Sequence, residues 1–494
     1  MRSRFARHLQ WTKRELPREG VPKSARAMLA SFGDVAAPAP EEQRAISPEF
    51  NGHQYAIFLL HVAAEVEHAL MAEYLFAAYT LGGPQVDGKH VDVVRQWQEV
   101  ILGIAKEEMG HLCSVQNVLR LISGPISFDR DDYPFGAEFY PFSFTLEKLT
   151  LDSLAKYVVA EAPLDWSGAE AEEIRKRANE SAGSDVNQVA TLYHLMIETI
   201  NNVLLVHDDA FRADTVSMQA SWDEWGRGYT HGQRGNETHA APAATPELII
   251  EVVDSRAAAV DLLQRIAEQG EATDKGGETS HFKRFLNIYR AWSAIAKKDP
   301  KFDPSRPVVT NPIVEDSLPE KQARIDASST ATNTITDPTT FYWAHLLNVR
   351  YRMLLTGLMH VFHVAGSLAS TTKPSARGQL ITLIFSEMYK VRALCGLLVT
   401  MPVHRGGDPS KHSAGPPFQM PYTLDIPERE SDRWRWHRDL LFAARDLLDE
   451  LAVREKDSPR LAYVLSMRDA DTNTMAIIEA MIAKLDKVSA EVTA

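Results

Sequence analysis

The sequence is poor in cysteine: Cys113 and Cys395 are the only two in 494 residues. Both lie in apolar stretches of helical pattern, which argues against a disulfide framework and for a reducing compartment. A surplus of basic residues is also missing, since 53 Lys and Arg stand against 66 Asp and Glu, a formal net charge of −13. Nucleic acid and anionic membranes would be repelled over most of such a surface, which leaves a small molecule or a protein as the expected partner. No run reads as long and uncharged enough to span a bilayer. The basic stretch from Met1 to Arg18 lacks the apolar core of a signal peptide. A cytoplasmic protein is therefore expected, as a monomer or homodimer. Runs of strand-type alternation are absent too, so the expected fold class is all-α.

What the chain does have is helical periodicity. From about Asn51 to Leu81 the residues Leu60, Ala63, Ala64, Glu67, Met71, Tyr74 and Ala78 share one stripe, which Gly82, Gly83 and Pro84 stop. A second helix is predicted from about Val91 to Ile122, with Val94, Ile101, Ile104, Glu108, His111, Val115 and Val118 on its stripe. Two long helices joined by a short turn lie antiparallel.

Residues 126–144 read as irregular structure, followed by a short helix from Leu151 to Glu161 that Pro163 stops. Further helices are predicted at about Asp185–Val206, Thr245–Gly270 and from Gly277 to Lys297, the second opened by Thr245-Pro246-Glu247 as a capping signal. The Pro-, Ser- and Thr-rich stretch 299–340 reads as a linker or surface excursion. Beyond it, helical patterns run to about Lys487. The expected organisation is an N-terminal extension (1–50), a helical bundle (51–298), the excursion (299–340) and a C-terminal helical layer (341–494).

Glu67 and Tyr74 sit two turns apart on a core-facing stripe, where an ionised carboxylate is costly unless paired or metal-bound. The second helix supplies Glu108-x-x-His111, a carboxylate and an imidazole on one face. A dinuclear site in a bundle takes one Glu from each of two helices and Glu-x-x-His from each of two others. Glu198 and Glu278-x-x-His281 complete that order. Alternatives for the second half are His194, on the same helix as Glu198, and Glu251 with Asp254 on the intervening helix. With 17 histidines, about one Glu-x-x-His is expected by chance, whereas this chain has three. The third, Glu65-x-x-His68, falls off the stripe and reads as solvated or salt-bridged. Of the rest, His360, His363 and Glu387 read as satisfied core groups, or as haem ligands or pocket residues.

At Glu65-Val66-Glu67-His68, Glu107-Glu108-Met109-Gly110-His111 and Ser280-His281-Phe282-Lys283-Arg284-Phe285, the sequence resembles the ferritin-like domain of the imine-dimerising synthases of bisindole pathways. These are the chromopyrrolate and iminophenylpyruvate dimer synthases. The resemblance extends to Gln269-Gly270-Glu271 and Gly415-Pro416-Pro417-Phe418. More distantly, Glu67, Tyr74 and Glu108-x-x-His111 are similar to the first half of ferritins and rubrerythrins. That resemblance implies metal-ligating roles for Glu67, Glu108 and His111 and a hydrogen-bonding role beside the metals for Tyr74. The long additional N-terminal region of the synthases has no counterpart here, so a standalone relative is expected.

The resulting expectation is a ferritin-like four-helix bundle elaborated by C-terminal helices. It would bind two iron ions, or manganese, at Glu67, Glu108, His111, Glu198, Glu278 and His281, with Tyr74 as the catalytic side chain. With dioxygen or peroxide it would oxidise a small, amino-acid-derived substrate. The alternatives are imine-dimerising oxidative coupling, with haem or without metal, and a non-catalytic metal-binding protein.

Overall fold

The computed structural model describes residues 50–137, 139–226, 247–271, 280–314, 333–365 and 375–493. Among them are twelve α-helices and no strand, only isolated bridges. The helices are α1 (Gly52–Thr80), α2 (Val91–Leu121), α3 (Leu151–Ala160), α4 (Ala169–Ala182), α5 (Val189–Asn201), α6 (Trp222–Trp225), α7 (Arg256–Glu271), α8 (His281–Lys298), α9 (Pro338–Val361), α10 (Ala376–Leu398), α11 (Glu430–Arg454) and α12 (Leu461–Thr493).

The first helix opens on a capping box, in which Asn51 accepts from the Gln54 backbone (2.8 Å) and Gln54 accepts from that of Asn51 (3.2 Å). It stops where Gly82 and Gly83 take φ of 87° and 121°, a region that disfavours side chains. α1 and α2 pack side by side as the centre of the bundle. On one flank α3 packs on α8, where Tyr74 and Tyr157 lie 4.9 and 5.5 Å from the Phe285 ring. On the other, α5 packs on α7 and α1.

Some expected boundaries shift. Of the helix expected from Thr245, residues 247–255 are not helical and bury Leu248, Ile249, Ile250 and Val253, and the helix starts at Arg256, while Thr245 and Pro246 lie outside the described residues. Other elements satisfy the backbone of this stretch. Ser114 donates to Ile249 O (2.7 Å) and Asn117 to Glu251 O (2.7 Å). The Asp185–Val206 expectation shortens to α5. Helix α4 was not legible, since only Ala171, Ile174 and Ala178 form its buried stripe. The described part of 299–340 packs inward, with Ser305, Val308 and Val314 buried and Arg306 N donating to Thr80 O.

Helices α9 to α12 form a layer over α1 and α2. Arg120 ties it on through Phe362 O, Arg130 through Phe418 O, and His68 through the Tyr351 hydroxyl. As a result α1 is covered on every side: 23 of its 29 residues are buried, so no face of it is left for solvent. Among the described residues it is the one helix long and apolar enough to cross a membrane, but 94% of that stretch is buried inside the protein, the mark of a core helix.

This burial corrects the reading of Glu65 and His68 as solvated, since they are 1% and 0% exposed. Glu65 accepts from the Tyr140 hydroxyl (2.9 Å) and Asp131 N (3.2 Å), while its other oxygen has no hydrogen-bond partner. Burial raises its pKa to about 7 from 4.5; the Tyr140 hydrogen bond opposes the shift and the Asp131 charge adds to it. Because the folded value lies above the unfolded one, the protonated form's contribution is fully present below pH 4.5 and is lost as pH rises through about 7. A shift of this size corresponds to roughly 3 kcal/mol. Glu65→Gln is therefore expected to exceed the wild type in stability at pH 8 by up to about that amount and to match it at pH 4. Denaturant midpoints at the two pH values check this; an equal difference at both would remove the titration of Glu65 as its cause.

Candidate metal centre

Four elements bring the buried acids and imidazoles together. Glu67 comes from the middle of α1, Glu108 and His111 from α2, Glu161 from the C-terminal cap of α3, and His281 from the first turn of α8. All five are 5% exposed or less. Glu108 lies between the two imidazoles: Oε2 is 2.8 Å from His111 Nδ1 and Oε1 is 3.0 Å from His281 Nδ1. His111 Nδ1 is also 3.4 Å from Glu67 Oε2, and His281 Nδ1 is 3.5 Å from Glu161 Oε2. Two trios result, Glu67/Glu108/His111 and Glu108/Glu161/His281, each with its donor atoms within 4.8 Å of one another.

The donor set fits a pair of cations. Glu67 Oε2, Glu108 Oε1 and His281 Nδ1 are buried and make no hydrogen bond of sound geometry, so they converge with unused capacity. The charges respond accordingly. Burial works to depress His111, but hydrogen bonds to Glu108 and Glu67 outweigh it and raise the imidazole to about 10. His281 is likewise driven up by Glu108 and Glu107 against its burial. Burial acts to raise Glu108, yet the neighbouring His281 and His111 hold it far below the usual carboxylate range. Burial and the Glu108 charge raise Glu67. Protons on the two Nδ1 atoms thus neutralise the acids where divalent ions would do the same.

Tyrosine hydroxyls fix the outer carboxylates. Tyr74 donates to Glu161 Oε1 (2.5 Å) and Tyr193, on α5, donates to Glu67 Oε1. A cavity of about 20 Å³, room for one water-sized body, adjoins the cluster. It is walled by Tyr193, Val189 and Ala190 on α5 and by Ile266, Ala267 and Gly270 on α7.

Of the residues singled out in the sequence, the fold assembles Glu67, Glu108, His111 and His281, with Tyr74 in contact. Glu278 lies outside the described residues. Glu198 is corrected: it is exposed on α5 and belongs to neither trio, and Glu161 stands in the cluster instead. The reason is helical phase, because the face of α5 turned to α1 carries Tyr193 and Met196. His194 spends Nδ1 on its own helix at Ala190 O (2.8 Å), Glu251 pairs with Arg265, and Asp254 is exposed. Glu161 had one signal in the sequence, an acid kept at a helix C-terminus where the dipole disfavours it.

The haem reading of His360 and His363 also gives way. His360 uses both ring nitrogens, on His437 Nε2 (3.0 Å) and Glu430 Oε2 (2.9 Å), and His363 Nδ1 bonds Met359 O (2.7 Å). Glu387 is held by Lys390 (2.6 Å) inside the C-terminal layer.

The family described as ferritin-like matches residues 60–290, the stretch that carries both trios. Residues 60–290 have a ferritin-like fold. Beyond this domain, the chain is 27% identical over 444 residues to a dichlorochromopyrrolate synthase of Lentzea aerocolonigenes, covering 80% of this chain. It spans 38% of the length of that relative. A crystal structure of a ferritin-like protein from Caulobacter vibrioides aligns at 16% identity and a TM-score of 0.36, covering 69% of this chain and 96% of that one. Within the ferritin-like domain, α1 and α2 form the first helix pair, and the second pair is interrupted. Glu161 and His281 come from the end of α3 and the start of α8.

Proposed function

We propose that the ferritin-like domain holds two redox-active ions, iron or manganese, and that the protein is an oxidoreductase. Its substrate is small and amino-acid-derived, and the reaction uses dioxygen or peroxide. The observation that carries this reading is the sharing of Glu108 between two buried trios whose unused donor atoms face each other. Three carboxylates against two divalent ions leave a net positive charge that an oxygen-derived anion would neutralise. Oxidative coupling is the reaction type that the similarity to a dichlorochromopyrrolate synthase favours.

When bound, the ions supply the electrons that reaction with dioxygen requires. The chain's own groups do the rest. Glu108, shared by the two trios, would hold both ions, and Glu67 and Glu161 would each hold one. Tyr193 lines the cavity and holds Glu67, so its hydroxyl is the proton donor placed beside whatever enters. Tyr74 is enclosed by Tyr157 and Phe285 and holds Glu161 in place, a positioning residue rather than a catalytic one. Only a body about the size of water fits the cavity, so the organic substrate would approach the centre from outside the wall that α5 and α7 form.

Purified protein is expected to contain about two iron or manganese ions per chain with no Soret band. It should consume dioxygen or peroxide when given imines of aromatic amino acids. A protein that takes up neither metal on reconstitution would end this reading.

A further inference from the structure

The two trios differ in what stands behind their imidazoles. His281 Nε2 donates to Glu107 Oε2 (2.8 Å), a carboxylate that is 0% exposed. Arg284 also donates to this carboxylate, and Glu247 N donates to its other oxygen (2.8 Å), so all three of these partners are donors. His111 Nε2 instead donates to Gln269 Oε1 (2.8 Å), a neutral amide whose orientation is set by its own donation to Glu247 O (2.9 Å). A carboxylate only accepts, and the amide presents its oxygen, so both imidazoles carry a proton on Nε2. Once the Nδ1 proton is displaced, each would therefore offer its Nδ1 lone pair inward to an ion. An anionic acceptor makes the imidazole a stronger base and metal ligand than a neutral one does.

We infer that the two metal positions are unequal: the Glu108/Glu161/His281 position, backed by Glu107, fills first and holds its ion more tightly. The Glu67/Glu108/His111 position, backed by Gln269, fills second and exchanges. This inference rests on the dinuclear reading above and adds an order of filling to it. Glu107 and Gln269 act through the imidazoles, as positioning residues. Their effect on affinity is of the order of 10–100-fold, the usual range for partners behind a metal-bound histidine.

The test is anaerobic titration of the full chain with Mn²⁺, followed by equilibrium dialysis and electron paramagnetic resonance. Wild type is expected to bind one ion, then a second at least tenfold more weakly. Glu107→Gln should weaken the first step and draw the two together, whereas Gln269→Glu should tighten the second. A folding defect does not mimic a gain in affinity, so the second variant decides if the first folds poorly. Two equal Mn²⁺ sites in wild type, unmoved by either variant, would overturn the inequality and leave the dinuclear reading standing. No Mn²⁺ bound to wild type would overturn both.

Discussion

Glu108→Ala is expected to empty both metal positions, leaving less than about a tenth of the wild-type iron or manganese and no measurable oxidase activity. Glu108 is the one side chain present in both trios, with one oxygen toward each imidazole. Its loss removes a ligand from each position and the negative charge between two cations. His111→Ala belongs to one trio and should remove about one ion of the two, leaving the position at His281 filled. Metal analysis of the two purified variants checks this, with far-UV circular dichroism confirming helix content. Because Ala leaves two imidazoles facing an uncompensated gap, Glu108→Gln serves as the folded control with the same shape. The assignment of Glu108 as the bridge is lost if Glu108→Gln keeps two ions, or if His111→Ala loses as much metal as Glu108→Ala.

The second large effect concerns stability and arises in the C-terminal layer. Arg350, Glu387, Lys390 and Asp471 form a buried quartet of zero net charge between α9, α10 and α12. Arg350 donates to Asp471, and Lys390 bonds Glu387 (2.6 Å) and Asp471 (3.0 Å). Removing one member leaves an uncompensated charge in a low-dielectric interior, so Arg350→Met is expected to cost about 3–5 kcal/mol. Adding Asp471→Leu restores neutrality around the Lys390–Glu387 pair and should recover most of that loss. Denaturant unfolding of the single and double variants measures both. A single variant within about 0.5 kcal/mol of wild type, the range of ordinary surface changes, would show that the quartet is not a coupled unit. The predicted rescue separates charge balance from lost packing, since Asp471→Leu restores none of the atoms that Arg350→Met removes.

The metal centre was half legible in the sequence. Glu67 and Glu108-x-x-His111 fall on the apolar stripes of two long helices, and an acid on such a stripe is conspicuous because burying it alone is costly. His281 was found through its Glu-x-x-His spacing, although Glu278, which made that spacing, lies outside the described residues. Glu161 was passed over because it ends a short helix and so has no stripe to stand on. Glu198 was chosen to complete the order Glu, Glu-x-x-His, Glu, Glu-x-x-His, on a helix read from Asp185 to Val206 that is only 13 residues long. The non-helical segment 247–255 was read as helix because a good capping signal precedes it. Its backbone partners, Ser114 and Asn117, lie more than a hundred residues away.

The sequence by itself determined the all-α class, the two central helices and the face of each that carries the acids, since helical period and stop signals act over a few residues. Only the tertiary structure decided which third acid joins Glu67 and Glu108. It also decided that Glu65 and His68 are buried and that Glu107 and Gln269 stand behind the two imidazoles. These outcomes depend on pairs such as Glu107 with His281, 174 residues apart, and on the C-terminal layer that encloses α1. No local pattern encodes such pairings, because their energy comes from desolvation and charge balance that exist only once distant helices have packed.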